Sequence, residues 1–245
     1  MDKVRTVSDT KRDFYTHHTR PINSIYRRFI EELLVEMHLL SVNVDFRYDP
    51  IFALGVVTSF ERFIQGYQPE KDKDSIFSAL CHSVGGNAEQ YQQEAQSLLT
   101  QVQGMSILEF MEILKVASSR MPGDGILSEI FQAIAQNAQF KYSRLFTVGL
   151  YTLVVKIAPN LVENKEQRNQ IFDLISEVFH LSSEKIEKDL ELYRSNLDKM
   201  EQLLAVTEDM LEAERKKQRK AIQQTQITDS YINLTNDHQD DSTNS

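Results

Sequence analysis

At 245 residues the chain is long enough for one large core or two small ones. Its net charge of −9, from 36 acidic and 27 basic side chains, argues against a nucleic-acid binder, whose affinity rests on neutralising phosphates. A single cysteine, Cys81, excludes a disulfide framework and a paired thiol motif and fits a reducing compartment. Eight glycines, five prolines and no tryptophan favour long helices over many short strands.

The opening MDKVRTVSDTKRDFY is charged and lacks the apolar core of a signal peptide. The chain is therefore expected to be made where it works, or to have lost a targeting segment. After Pro21, which suits a first helical turn, Ile22, Ile25, Tyr26, Phe29, Ile30, Leu33, Leu34, Met37 and Leu40 fall on one helical stripe. Arg27, Arg28, Glu31, Glu32 and Glu36 fall opposite, with Arg27–Glu31 and Arg28–Glu32 at ion-pair spacing. Asp49-Pro50 reads as a cap plus first-turn proline, starting a helix over about 50–67.

A further helix is expected over 72–84, with Ile76, Phe77, Leu80, Cys81 and Val84 inward. Gly85-Gly86-Asn87 breaks it and leads to a Gln-rich helix ending near 103. Ser106 with Glu109 forms a capping-box signature, with Ile107, Phe110, Met111 and Leu114 behind it. Residues 121–125 are a turn cluster, and Ile126, Ile130, Phe131, Ile134 and Ala138 line the next helix. Residues 145–158 are apolar nearly all round, as in a central buried helix stopped by Pro159. The longest uncharged runs, 50–60 and 145–155, are about eleven residues, where a membrane-spanning helix needs roughly 20. Residues 166–181 are amphipathic again.

From Ser183 the apolar residues Ile186, Leu190, Tyr193, Leu197, Met200, Leu204, Thr207 and Leu211 recur with heptad spacing. The fold expected is all-α: a multi-helix globular bundle over 1–181, a long heptad-patterned, coiled-coil-like helix over 182–221, and a disordered acidic tail over 222–245.

No residue set carries recognisable catalysis. Glu177 and His180 lack the second Glu-x-x-His and the partner glutamates that a carboxylate-bridged centre needs, so they read as a solvated pair. His17-His18 reads as an exposed pair capable of adventitious metal binding. Cys81 and His82 are adjacent on a helix, pointing about 100° apart, and cannot form a nucleophile–base pair with each other. Gly85-Gly86 lacks the P-loop continuation, and the Gly123–Gly125 stretch is too short for a calcium loop. No catalytic residue, cofactor or metal ligand is assigned.

Binding features remain. The heptad face, with Ile186, Leu190, Leu197, Leu204 and Leu211, can pack on its own body, dock a partner or self-associate, with a monomer favoured. Arg215, Lys216, Lys217, Arg219 and Lys220 can meet an anionic membrane surface, or can simply be a solvated helix end. The first 28 residues carry a net +4 on an acidic chain, which fits a surface meeting lipid or an acidic partner. The 43–49 loop, with Asn43, Phe46, Arg47 and Tyr48, is a hinge and cap, or a partner contact.

Several stretches resemble the thylakoid formation family, also called the photosystem II biogenesis family, of cyanobacteria and chloroplasts. They are TVSDTKRDFY, RPINSIYRR, ELLVEMHLLSVN, FRYDPIFALGVVTSFERF, QGYQPEKDKDSIFSALC and FKYSRLFTVGLYTL. The resemblance covers the chain from about residue 4 to the middle of the heptad helix, and the absence of a transit peptide fits a cyanobacterial source. It implies an all-helical, non-enzymatic protein, peripheral on the cytoplasmic (stromal) side of the thylakoid membrane. It implies a role in photosystem II biogenesis and repair, with an FtsH-type membrane AAA protease and photosystem II assembly intermediates as expected partners. Alternatives are a lipid-binding scaffold in thylakoid formation and an enzyme with a cryptic metal or pigment site.

Overall fold

The computed structural model describes residues 5–119, 123–160 and 164–237, with the side chains of residues 208, 211, 214 and 218–237 outside the description. Among these residues the secondary structure is helical, without strands. In chain order the helices are α1 (Val7–His17), α2 (Ser24–Ser41), α3 (Pro50–Phe63), α4 (Asp72–Ser83) and α5 (Ala88–Gln101). They continue with α6 (Ile107–Ser118), α7 (Ile126–Ala135), α8 (Arg144–Ile157), α9 (Lys165–Val178) and α10 (Ser183–Asp237). The all-α class expected from the sequence is what the structure shows.

Helix starts follow local chemistry. Asp49 accepts from the Phe52 N–H at 2.8 Å with Pro50 behind it, as the sequence predicts. Ser106 and Glu109 close their capping box, and Thr6 and Asp9 close a second one that starts α1. α2 begins later than its proline suggests. Asn23, accepting from the Ile25 N–H at 3.0 Å, is the cap, and Pro21 lies outside the helix. α3 stops at Phe63 rather than near residue 67, where Ile64 caps it and Gly66 takes a positive φ. In α7 Leu127, Phe131 and Ile134 are buried while Ile126 is exposed, and Ala138 lies beyond the helix end and is exposed.

The core is the crossing of α3 and α8. Every residue from Ile51 to Val57 and from Leu145 to Leu150 is buried. The two backbones approach at two glycines. A Cβ on Gly55 would stand 1.7 Å from the Leu145 carbonyl oxygen, and one on Gly149 would stand 2.0 Å from that of Ile51. Only glycine permits so close an approach. α5 and α2 pack on this pair, α1 bridges α2 and α4, and α9 rests on the α6–α7 hairpin. A chain of edge-on rings, Phe110–Phe131–Phe179–Phe146, joins the hairpin to α8 at centroid distances of 5.6–5.9 Å.

The chain divides into two compact units, Met1–Leu197 and Asp198–Ser245. The division falls later than the 181/182 boundary expected from the heptad onset, because Ile186, Leu190 and Tyr193 are buried in the first unit. The Tyr193 ring meets those of Phe63 and Tyr151. In the second unit the helix α10 is described as far as Asp237. Residues 221–237 contain no glycine or proline to end it, and residues 238–245 lie outside the described residues. No helix among the described residues is long and apolar enough to cross a membrane.

Candidate docking surfaces

Three surfaces hold the residues that the sequence singles out. The first is the 43–49 loop between α2 and α3. Asn43 accepts from the Asp45 N–H at 2.9 Å, closing an Asx turn. The Arg47 guanidinium folds onto its own backbone, donating to the Val44 and Phe46 carbonyls at 2.7 and 2.9 Å. Phe46 packs edge-on against Phe52, and the Tyr48 hydroxyl donates to Glu94 at 2.7 Å beside the Tyr91 ring. Burial and that carboxylate hold the Tyr48 phenol above its ordinary range. Burial also pushes the Asp49 carboxyl up to about 7, against the pull of the N–H groups it caps. All four singled-out side chains thus have intramolecular tasks. The outward apolar side chains are Leu39, Val42 and Val44, the last 83% exposed. Sequence reading missed them because Leu39 sits within an apolar run and the two valines flank a polar one.

The second surface is a groove of about 920 Å³ along the outer face of α2. Val35, Leu39 and Leu40 contribute apolar floor, and Arg27, Arg28 and Lys185 are among its charged walls. Its end is fixed by two contacts. Arg144 Nε donates to Glu36 at 3.1 Å, and the Tyr142 hydroxyl donates to Asp189 of α10 at 2.6 Å. Burial raises the Glu36 carboxyl above its ordinary value, and Arg144 opposes that rise. Lys185 Nζ stands 4.6 Å above the Tyr142 ring. On the α1 side, Glu31 is bound by Lys11 at 2.6 Å and Tyr15 at 2.7 Å, rather than by Arg27 as spacing suggests. The hydrogen bond from Lys11 is the main reason its carboxyl lies below the usual range. The Arg28–Glu32 pair forms as expected.

The third surface is on α10. Within the first unit Ile186 and Leu190 of the heptad face are interior, and Leu197 is half-buried. Packing on the chain's own body, one of the options the sequence leaves open, therefore accounts for the start of the seam. In the second unit Leu204 is half-buried, and the side chain of Leu211 lies outside the description. A separate row, Leu203, Val206 and Met210, is 47%, 52% and 63% exposed. Spacings of three and four place it on one helix face. Beyond it Arg215, Lys216 and Lys217 are exposed, with Lys216 paired to Glu212 at 2.8 Å. The side chains of Arg219 and Lys220 lie outside the description.

Three of the residues weighed for chemistry, Cys81, His18 and His180, have structural roles. Cys81 is fully buried, which pushes its thiol up to about 12 and leaves it inert. His180 takes φ 54° and ends α9, with the Leu181 N–H returning to the Ser176 carbonyl. His17 and His18 are not an exposed pair. His18 is buried and bonded to Ser75 Oγ at 3.0 Å, because α1 turns that face onto α4. His17 is exposed and its ring meets His82.

Residues 6–222 match the family model described as thylakoid formation protein. Protein Thf1 of Rippkaea orientalis is 64% identical over 228 residues, 93% of this chain and 97% of that one. Protein Thf1 of Synechocystis sp. is 53% identical over 220 residues, covering 90% and 91%. A solved structure of Psb29 at 1.55 Å is similar at 48% identity with a TM-score of 0.75, covering 87% of this chain and 98% of that one.

Proposed function

Because the chain belongs to the thylakoid formation protein family, we propose that it is a non-enzymatic accessory factor of photosystem II biogenesis and repair. In this reading it sits peripherally on the cytoplasmic face of the thylakoid membrane, where it binds and stabilises an FtsH-type membrane AAA protease. The observation that carries the reading is the Leu203, Val206 and Met210 row. Apolar side chains aligned on one helix face and left in solvent mark a docking element for another protein surface. The first unit is of the kind an adaptor needs. Its α3–α8 crossing is packed backbone to backbone and gives little.

The second reading, a lipid-binding scaffold, rests on the exposed Arg215, Lys216 and Lys217. A capture experiment separates the two. Tagged full chain is incubated with mildly solubilised thylakoid membranes, and bound AAA protease is quantified by mass spectrometry. The protease reading expects near-stoichiometric recovery that survives moderate salt, since apolar contact is not screened. If no protease is recovered, while the chain binds anionic vesicles in a way that salt abolishes, the scaffold reading replaces it.

A further inference from the structure

The face where α1 meets α4 holds a cluster that neither the family nor the docking surfaces account for. Asp13 and His17 stand one turn apart on α1, and His82 lies in the last turn of α4. One ligand atom from each falls within 4.8 Å of the others. The two imidazoles lie with centroids 3.9 Å apart, tilted by 42°. Both histidines are exposed and Asp13 is half-buried, so the cluster is open to solvent.

The hydrogen bonding turns one ring toward Asp13. His17 Nδ1 lies 2.9 Å from the Asp13 backbone carbonyl, which can only accept, so in the neutral ring Nδ1 carries the proton. An ion shared by His17 Nδ1 and the Asp13 carboxylate takes the place of that proton. Asp13 Oδ1 lies 3.3 Å from the same Nδ1, while Arg5 pairs with Oδ2. That pair sets a cation beside the cluster, which opposes an incoming ion.

The geometry points to a binding site for a borderline transition-metal ion of the zinc class, held by Asp13, His17 and His82 and joining α1 to α4. Two imidazoles and one carboxylate suit zinc, nickel or copper over calcium or magnesium, which prefer oxygen alone. Three protein ligands leave a coordination position for water. The ion would act as a removable clasp between the N-terminal helix and the body.

The test uses the full chain without a histidine tag. Cobalt(II) is titrated with visible absorbance as the readout, and zinc binding is measured by calorimetry. The expected result is saturable one-to-one binding with ligand-field bands. His17→Ala and His82→Ala should each weaken binding at least about tenfold, and Arg5→Gln should tighten it. Both histidines are exposed, so these substitutions leave the packing in place. Absence of saturable binding overturns the site. So does unchanged affinity in His82→Ala, which would mean that a single surface histidine binds the ion.

Discussion

The α3–α8 crossing and the stretch of α10 beyond Leu197 are both helices with apolar side chains, used in opposite ways. In the crossing the apolar surface is buried on all sides, and the backbones meet at Gly55 and Gly149 without room for a methyl group. Beyond Leu197, Leu203, Val206 and Met210 face solvent. Packing against its own chain determines the first region. Among the described residues the second keeps its apolar row exposed, and the proposed docking function rests on that row.

The comparison predicts that substitutions in the two regions have opposite effects. The largest expected loss of stability is at the crossing. Gly55→Ala or Gly149→Ala drives a Cβ into a backbone carbonyl that cannot rotate away, and should cost about 3 kcal/mol or more, read as a fall in the denaturant midpoint. Next is the contact that ties α2 to α8. Arg144→Met leaves the mostly buried Glu36 carboxylate without its cation and should cost about 2 kcal/mol, discounted from a fully buried pair because Arg144 is partly exposed.

Asp49 gives a smaller effect with a defined pH sign. Asp49→Ala removes the α3 cap at about 1 kcal/mol. The folded-state value, about 7, lies above the ordinary 3.8, so between those values the folded chain holds a proton that the unfolded chain releases. Stability therefore falls as pH rises through that window and levels off above it. Asp49→Asn keeps a capping side chain and abolishes the slope, which melting curves at pH 5 and pH 8 would check. The smallest effect on stability is expected on α10. Leu203→Ser, Val206→Ser and Met210→Ser should each stay within about 0.5 kcal/mol of the parent. A loss as large as that at Gly55 would show that the row is packed rather than presented.

Much of the fold was legible because helix signals are local. Asp49-Pro50, Ser106 with Glu109, and the uninterrupted apolarity of 145–158 each specify an element without reference to the rest of the chain. The Thr6–Asp9 box carried the same signal for α1 and went unread beneath the charged N-terminus. Tertiary features were less legible. Gly55 and Gly149 are unremarkable glycines until the two helices cross, although a glycine inside an apolar helix is itself a hint of close packing. The heptad seam showed which face of α10 is apolar, but not that the chain's own body would bury Ile186 and Leu190. The neighbouring Leu203 row was hidden because the heptad template accounts for only one stripe. His82 was judged against Cys81, its neighbour in sequence, whereas its neighbour in space is His17.

The central claim is that the exposed row on α10 docks the protease. The most direct measurement is the affinity of purified full chain, and of the Leu203→Ser/Val206→Ser/Met210→Ser variant, for the purified FtsH-type protease in detergent. The account predicts saturable binding by the parent and at least about a tenfold weakening in the variant, with the melting temperature unchanged. Equal affinity of the two proteins, or no binding by either, would contradict it.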